Sequence, residues 1–228
     1  MRRCFLAAGA LACLVAGPVQ AANLLTNGDF SAGNSGFGSD YAFESFISSE
    51  TQYTVTAANT INDVNSFHDW TAIETDPTGG TGNILVANGA TDSGTAVWFE
   101  TVSVTPNTNY TFSFFGVDVN ADRVSDATLI PFFRGTDVTE GSALDTNGTW
   151  QMSSFTWNSG SATSVLINLI DANADLAFND FAIGDLSFAA TAGAVPETST
   201  WVAMLIGFAS VGLLGYRKTR KFKTAPVG

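Results

Sequence analysis

Short stretches in the middle of the chain alternate between apolar and polar residues, which is the period of a β-strand with one buried face. The stretch 97–104 is followed by the turn residues 105–107, after which Tyr110, Phe112 and Phe114 alternate with small hydroxyl-bearing residues. A short turn between two alternating stretches predicts a hairpin, and its aromatic rings are expected on the core face.

The same alternation recurs at 150–157 and 165–170, and the stretch 180–188 closes the pattern. Gly, Asn, Asp and Pro separate these stretches, and the middle of the chain shows no run of helical periodicity. Many short strands at this spacing favour a β-sandwich or jelly roll. We therefore expect an all-β, jelly-roll β-sandwich in residues 22–190.

The first residues of the chain have the parts of a secretory signal. Arg2 and Arg3 precede an apolar run over 4–17, which ends at Pro18 and the small-residue sequence 19–21. Because this run is too short to span a membrane, we expect residues 1–21 to be a cleaved signal peptide.

Two other export signals compete with this interpretation. The pair Arg2-Arg3 is faintly similar to a twin-arginine signal, but the polar residue before the pair is missing. Residues 10–13 are similar to a lipoprotein cleavage box without its leading Leu, and cleavage there would leave an apolar run of only about eight residues. The ordinary secretory signal fits the whole segment best.

The other end of the chain has a short motif over 195–201, an uncharged stretch and a basic tail. The stretch 201–216 carries no charge and would form about 24 Å of helix at 1.5 Å per residue, while 217–223 holds five Arg and Lys residues. Trp201 and Tyr216 suit the membrane interfaces, and the positive-inside rule keeps the tail cytoplasmic. We expect a transmembrane helix with the ectodomain outside. The alternative, a buried helix of a soluble domain, has no need of a terminal basic cluster.

This arrangement resembles the PEP-CTERM sorting signal, also called the ice-binding protein C-terminal domain. The motif residues that carry the resemblance are Val195, Pro196, Glu197 and Trp201. In that family a membrane-bound exosortase is thought to cut near the Pro-Glu motif and to release or re-anchor the ectodomain, mostly in Gram-negative bacteria that make exopolysaccharide. Thr198 stands where the family usually has a second Pro. The resemblance implies a sorting segment over 191–228, an exosortase and the inner membrane as partners, and a cell-surface or extracellular destination.

Between the two ends the chain is strongly acidic. Residues 22–195 hold twenty Asp and Glu residues against only Arg123 and Arg134, a net charge of −18. Phosphate binding needs clustered Lys and Arg, so nucleic acid is excluded as a partner. The negative charge either keeps an exported protein soluble or is relieved by divalent cations, and the sequence leaves both open. Cys4 and Cys13 both lie in the signal, so the ectodomain relies on its core rather than on disulfides.

Two stretches stand out at the ends of the ectodomain, 23–30 at the mature N-terminus and 179–186 near its end. They resemble the opening and closing strands of galactose-binding-like jelly rolls, the fold of many carbohydrate-binding modules. In that family the ends of the domain pair in space, and a structural calcium often lies where they meet. The resemblance implies calcium ligands at Asp29 and Asp185, although Gly184 replaces the first of the usual pair of acids. It also implies a glycan as the ligand of the domain.

Two further segments, 118–122 and 171–175, share the spacing Asp-x-Asn-x-Asp. Oxygen ligands at alternate positions converge on a hard cation when a loop curls, as in the first half of an EF-hand loop. The rest of that loop is missing, and Asp and Asn also favour ordinary turns. The candidate calcium ligands in these segments are Asp118, Asn120, Asp122, Asp171, Asn173 and Asp175.

Several aromatic residues are candidates for a sugar-stacking platform, namely Tyr41, Tyr53, Phe67, Trp70 and Trp98. Trp70 is the best of them, because it follows His68 and Asp69 in a stretch that looks like a loop. Burial in the sandwich is the alternative for any Trp, and we expect it for Trp150 and Trp157, which lie in strand patterns.

Catalysis has little support in this sequence. His68 is the only His, the ectodomain has no Cys, no Gly-x-Ser-x-Gly motif occurs, and no pair of carboxylates stands out for glycoside cleavage. We expect a non-enzymatic surface or matrix protein that associates with exopolysaccharide or another glycan. The rival is a purely structural acidic envelope protein that binds no sugar. An ice-interacting protein would need a flat face of regularly repeated Thr, and the Thr residues follow no such period.

Overall fold

The computed structural model describes residues 21–66, 70–71, 73–120, 127–133, 136–137, 141–144, 148–174, 179–191 and 204–210. Contacts between residues divide the chain into two compact units, one of which is Ala21–Thr191 and the other the two chain ends. The boundaries predicted for the signal, the ectodomain and the sorting segment stay predictions.

The unit Ala21–Thr191 is built from two β-sheets. The strands of the first sheet are β1 (Ala42–Phe43), β2 (Gln52–Ala57), β3 (Asn83–Asn88), β5 (Asn109–Asp118), β9 (Gln151–Asn158) and β11 (Phe181–Ala190). The strands of the second sheet are β4 (Ala96–Ser103), β6 (Thr128–Phe133), β7 (Thr136–Asp137), β8 (Ser142–Ala143) and β10 (Ser164–Asp171). A short 3-10 helix, Ala58–Asp63, follows β2.

The six-stranded sheet has the order β1-β2-β3-β11-β5-β9, and the five-stranded sheet has the order β4-β10-β6-β7, with β8 paired to β6. Neighbouring strands are antiparallel except for β1 and β2, which are parallel. The all-β sandwich expected from the sequence is confirmed for the described part of the chain.

The hairpin predicted from 97–104 and the following aromatic stretch is wrong, although both of its strands form. β4 pairs with β10 in one sheet, whereas β5 pairs with β11 and β9 in the other. The chain between them crosses from sheet to sheet. There Thr105 N donates to Tyr110 Oη over 2.8 Å, and Asn107 N donates to Gly160 O over 2.6 Å. The turn residues predicted the reversal of the chain but carried no information on which strands would pair.

Three aromatic rings of β5 point into the space between the sheets, as predicted. Tyr110, Phe112 and Phe114 are at most 3% exposed. The ring of Phe112 lies 6.0 Å from that of Trp98 on β4 and 6.1 Å from that of Phe133 on β6, so rings of both sheets meet at one point. Burial of each such side chain contributes about 1.5–3 kcal/mol. This aromatic cluster therefore joins the two sheets.

A second apolar cluster covers part of the outer face of the six-stranded sheet. Ile84 and Val86 of β3 and Val117 of β5 belong to this second cluster. Successive side chains lie on opposite faces of a strand, and Leu85 of β3 and Phe114 of β5 belong to the aromatic cluster. The chain between β2 and β3 packs over them and contributes Ile61 and Trp70. This half of the outer face is thus a second small core.

The two ends of the domain lie side by side, as the resemblance to jelly rolls predicted. Leu186 N donates to Gly28 O over 2.8 Å. β11 is irregular here, since Asp185 has a φ of 50° and the register against β5 shifts between Gly184 and Ser187. The opening segment thus packs against an irregular part of the closing strand.

In the unit that contains the chain ends, the structure describes only residues 204–210, which form a helical segment. No helix within the described ranges is long and apolar enough to cross a membrane. The transmembrane helix predicted over 201–216 falls largely outside those ranges and stays a prediction.

The close approach of the two domain ends predicts the effect of adding one methyl group. A Cβ at Gly28 would lie 2.2 Å from the carbonyl oxygen of Leu186, so Gly28→Ala must displace backbone. Overpacking of this kind costs about 1–3 kcal/mol, which we expect to see as a lowered midpoint of thermal unfolding of the purified chain.

Gly94→Ala is the matched control, because a Cβ there meets only Asp92 Oδ1 at 3.5 Å. Equal midpoints for Gly28→Ala and Gly94→Ala would show that the two domain ends are not tightly packed.

Candidate functional site

The open half of the outer face of the six-stranded sheet carries a regular set of uncharged side chains. Cross-strand pairing places Thr111 beside Thr156, Ser113 beside Ser154, and Phe115 beside Met152. On the other side of β5, β11 adds Ser187 next to Ser113 and Ala189 next to Thr111. The hydroxyl face consists of Thr111, Ser113, Ser154, Thr156 and Ser187, with Phe115 and Met152 at one end.

The buried aromatic cluster determines the orientation of this face. Side chains alternate along a strand, so inward rings at Phe112 and Phe114 force Ser113 and Phe115 outward. On β9 the outward residues are the exposed ones, and Met152 is 64% exposed. The face is thus a direct consequence of the core packing.

The segment that covers the second core forms one border of the hydroxyl face. Pro77 lies over Gly184, where a Cβ would come within 3.0 Å of the Pro77 ring. Trp150, just before β9, is half-buried, and its Nε1 donates to Thr75 O over 2.8 Å. This border gives the open face a raised edge beside Phe115 and Met152.

The seven side chains of the hydroxyl face carry no charge. Ser and Thr hydroxyls donate and accept hydrogen bonds, and rings and thioethers offer apolar contact. The arrangement suits an uncharged ligand that has both hydroxyl groups and C–H surfaces. Sequence analysis missed this face, although its signal was present in the hydroxyl residues that alternate with the aromatics of β5.

Trp70, the residue predicted to stack on sugar, is a core residue in the structure. It lies outside the named strands, as expected for a loop, but only 4% of its surface is exposed. Its indole packs in the second apolar cluster, and its Nε1 donates to Asp180 Oδ2 over 2.8 Å. The prediction of an exposed platform at Trp70 is therefore corrected: the loop lies on the sheet, and the indole face is covered.

The other aromatic candidates that the structure describes are buried as well. Tyr41, Tyr53 and Trp98 are all at most 5% exposed. Phe67, together with the neighbouring His68 and Asp69, lies outside the described residues. Trp157 packs against the aromatic core as predicted, with its ring 5.6 Å from that of Phe133.

The predicted calcium ligands Asp29 and Asp185 line the same open groove, where the two domain ends meet. Burial raises the pKa of Asp185, and the nearby carboxylates of Asp76 and Asp29 raise it further. Asp29 Oδ1 accepts hydrogen bonds from the backbone N and the hydroxyl of Ser31. The structure thus brings the two residues together, and calcium binding there stays a prediction.

The described parts of the two Asp-x-Asn-x-Asp segments contain Asx turns, and calcium binding by these segments stays a prediction. Asn120 N donates to Asp118 Oδ1 over 2.7 Å, and Asn173 N donates to Asp171 Oδ1 over 3.0 Å. The Asn120 amide also donates its Nδ2 to Asp118 Oδ1. Each Asn therefore gives a donor to its Asp, which is the turn chemistry left open above. The third residues of the two segments, Asp122 and Asp175, lie outside the described residues.

The ends of several strands bring acidic side chains together in one place. The strand-end cluster consists of Asp118 at the end of β5, Asp171 at the end of β10, Asp180 just before β11 and Glu50 just before β2, with the phenol of Tyr41 among them. Asp118 and Asp171 are at most 1% exposed. Within the described ranges, no group of three or more His, Cys, Asp or Glu side chains could hold a metal ion.

The electrostatics of the strand-end cluster penalise negative charge. Burial raises the pKa of Asp171 to about 7, hydrogen bonds from the N–H groups of Thr128 and Asn173 and from the Asn179 side chain lower it, and the carboxylate of Asp118 raises it. Burial likewise raises the pKa of Glu50, and Asp180 adds to that shift.

The sorting motif predicted at Val195, Pro196, Glu197 and Trp201 lies outside the described residues. Exosortase recognition of this motif stays a prediction. The expectation that the chain is not an enzyme likewise stays a prediction.

No protein-family model matches the sequence, and no curated protein matches it. Solved structures similar to the chain include carbohydrate-binding modules. A family 16 carbohydrate-binding module is 15% identical, with 73% of this chain and 99% of that chain covered and a TM-score of 0.43. The tandem CBM22 domains of Xyn10C from Paenibacillus barcinonensis are 15% identical, with 80% of this chain and 49% of that chain covered and a TM-score of 0.49.

The enzymatically active domain of bacteriophage CBA120 tailspike protein 4 is also similar, at 15% identity and a TM-score of 0.46, over 74% of this chain. The chain spans only 21% of the length of that tailspike domain. With TM-scores below 0.5, none of these similarities assigns a ligand or an activity to this chain.

Asp171 makes the free energy of unfolding depend on pH in metal-free buffer. Its pKa is raised to about 7 in the folded protein, against about 3.9 in an unfolded chain. The stabilising contribution of the protonated carboxyl is therefore fully present below about pH 4 and is lost as the pH rises through about 7. We expect the unfolding free energy from urea denaturation to fall by about 1–3 kcal/mol between about pH 5 and pH 8.

Asp171→Asn should remove most of this pH dependence, because Asn does not titrate. Asp92→Asn, on an exposed turn, is the control and should keep the wild-type profile. A profile that Asp171→Asn leaves unchanged would assign the pH dependence to other groups.

Proposed function

We propose that this chain is an exported, non-enzymatic surface protein that binds polysaccharide along its hydroxyl face. The observation that carries the proposal is the set of cross-strand pairs Thr111–Thr156, Ser113–Ser154 and Phe115–Met152 on an open sheet surface. A sugar ring has hydroxyl groups at its edge and C–H groups on its faces, so it matches hydroxyl side chains beside an apolar end.

The shape and charge of the hydroxyl face fit an extended, neutral glycan chain. Three paired strands, β11, β5 and β9, present the face as an open sheet surface rather than an enclosed cavity. Successive outward residues on one strand lie about 6–7 Å apart, so rows along the sheet can contact successive sugar units. The net charge of −18 over residues 22–195 repels acidic polysaccharides, and no Lys occurs in that span to bind them.

The cellular location in this proposal is inferred from the sequences of the two chain ends. Residues 1–21 direct export, and residues 195–223 carry the motif, the apolar stretch and the basic cluster that resemble a PEP-CTERM signal. We propose that an exosortase-type enzyme processes the chain at the inner membrane and that the ectodomain then meets exopolysaccharide at the cell surface.

A purely structural acidic envelope protein is the second candidate function. The charge of −18 favours it, because acidity alone keeps an exported domain soluble and spaced from its neighbours. The two candidates differ in one respect, since only the first needs the hydroxyl face to remain open to a ligand.

The glycan proposal predicts the effect of one charge placed in the middle of the hydroxyl face. Ser154 is exposed, so Ser154→Glu should leave the fold intact while its carboxylate and added bulk obstruct the central row. We expect retention on neutral polysaccharide to fall at least about tenfold, or about 1.4 kcal/mol, in affinity electrophoresis or a pull-down of the purified chain.

Ser164→Glu is the matched control, because Ser164 is an exposed strand serine of the other sheet and the substitution adds the same charge. Equal retention of the two variants would place binding elsewhere. If the wild-type chain is not retained by any polysaccharide, the structural candidate replaces the glycan proposal.

The sorting proposal predicts where a variant of the motif accumulates. Glu197→Ala should remove the acid of the Pro-Glu motif, so we expect an uncut chain in the inner membrane, whereas wild type becomes shorter and leaves that membrane. Glu44→Ala, an exposed acid of the sandwich, is the control. Identical fractionation of Glu197→Ala and wild type would reject exosortase-type processing at this motif.

A further inference from the structure

Two oxygen atoms, one in the strand-end cluster and one on the neighbouring Asn179, are buried without a hydrogen-bond donor. They are Oδ2 of Asp171 and Oδ1 of Asn179, and both residues are 0% exposed. A buried carboxylate or amide oxygen that loses water and gains no partner is strongly destabilising. Two of them beside each other need an explanation.

Both side chains are fixed in position by their other polar atoms. Asp171 Oδ1 accepts from Thr128 N over 2.9 Å and from Asn173 N over 3.0 Å. Asn179 Nδ2 donates to Ala90 O over 3.0 Å and to Asn173 O over 2.9 Å. The Asn179 side chain also lowers the pKa of Asp171 by a hydrogen bond, so the two side chains are neighbours. Rotating either one would break the bonds named above.

The backbone around Asn179 is shaped to admit this side chain. A Cβ at Gly89 would lie 2.2 Å from Asn179 Cγ, so only glycine leaves room for the amide. Gly89 N donates to Asp180 Oδ1 at the same place. The end of β3 and the start of β11 are thereby packed closely around the free oxygens.

The surroundings of the two oxygens are negatively charged. Asp118 lies close enough to raise the pKa of Asp171. Burial raises the pKa of the Tyr41 phenol above its ordinary value, and the nearby carboxylates of Asp171, Asp180 and Glu50 raise it further. Glu50 Oε2 is a third buried oxygen without a donor. The nearby acids add negative potential whether or not they contact a ligand.

We infer that Asp171 Oδ2 and Asn179 Oδ1 are ligands of one calcium ion at the end of the sandwich. Carboxylate and amide oxygens are the ligands that calcium prefers, and it completes its shell with backbone carbonyls and water. A calcium ion would provide both oxygens with a partner at once and offset the charge of the surrounding acids. Such a site shares Asp171 with the predicted segment 171–175 but pairs it with Asn179 instead of Asn173 and Asp175. It is separate from the Asp29–Asp185 groove.

The test compares the full chain, purified in mild detergent, in chelator and in calcium. Extracellular calcium modules have Kd values of about 10⁻⁴–10⁻³ M, so about 10 mM calcium is a tenfold to hundredfold excess. A ligand that binds only the folded state should then raise the unfolding midpoint by about 3–10 °C. Asp171→Asn should abolish this rise, because it removes the carboxylate and supplies an N–H to Asn179 Oδ1. Asn179→Asp should keep or enlarge it.

Terbium provides a second readout that does not depend on stability. Tyr41 and Trp70 both lie at the strand-end cluster, so they should sensitise the luminescence of a bound terbium ion, and calcium should quench it by competition. Asp185→Asn is the control at the other candidate junction and should retain the signal.

The inference is overturned if Asp171→Asn keeps the calcium-dependent rise or the terbium signal, or if calcium changes neither in the wild type. None of these outcomes bears on the glycan proposal, which is tested by the retention of the Ser154→Glu variant on neutral polysaccharide.

Discussion

The packing of aromatic rings between the two sheets is the constraint on which the rest of the domain depends. Phe112 meets Trp98 and Phe133 across the interior, and the ectodomain has no cysteine to replace that contact with a disulfide. Because a strand alternates its side chains, fixing these rings inward also fixes which residues face solvent. The hydroxyl face and the aromatic core are therefore two sides of one pattern.

The sequence predicted this pattern well where it was local. The strands at 150–157, 165–170 and 180–188 and the inward aromatics of β5 follow from period-two alternation, which is a property of one segment at a time. The pairing of β4 with β10 rather than β5 is a property of two distant segments. It depends on how the sheets stack, and turn residues do not encode that.

The candidate site was harder to predict for the same reason. The hydroxyl face becomes visible only when β5 is placed between β11 and β9, because each strand alone contributes one or two ordinary Ser and Thr residues. Trp70 shows the converse case. The prediction that Trp70 lies in a loop is correct, but the loop packs against Ile84 and Val86. A residue outside the strands can therefore still be buried. Asp171 and Asn179 come from different stretches and meet only through the fold.

The position of β11 within its sheet has a mechanical consequence. β11 is the last strand of the sandwich, and it is hydrogen bonded on one side to β3 and on the other to β5. If the protein is tethered through its C-terminal segment as proposed, a pull on the tether enters the domain along the axis of this central strand. The two ladders of hydrogen bonds would then be loaded together in shear, so rupture requires many of them to fail at once instead of opening one after another from an edge.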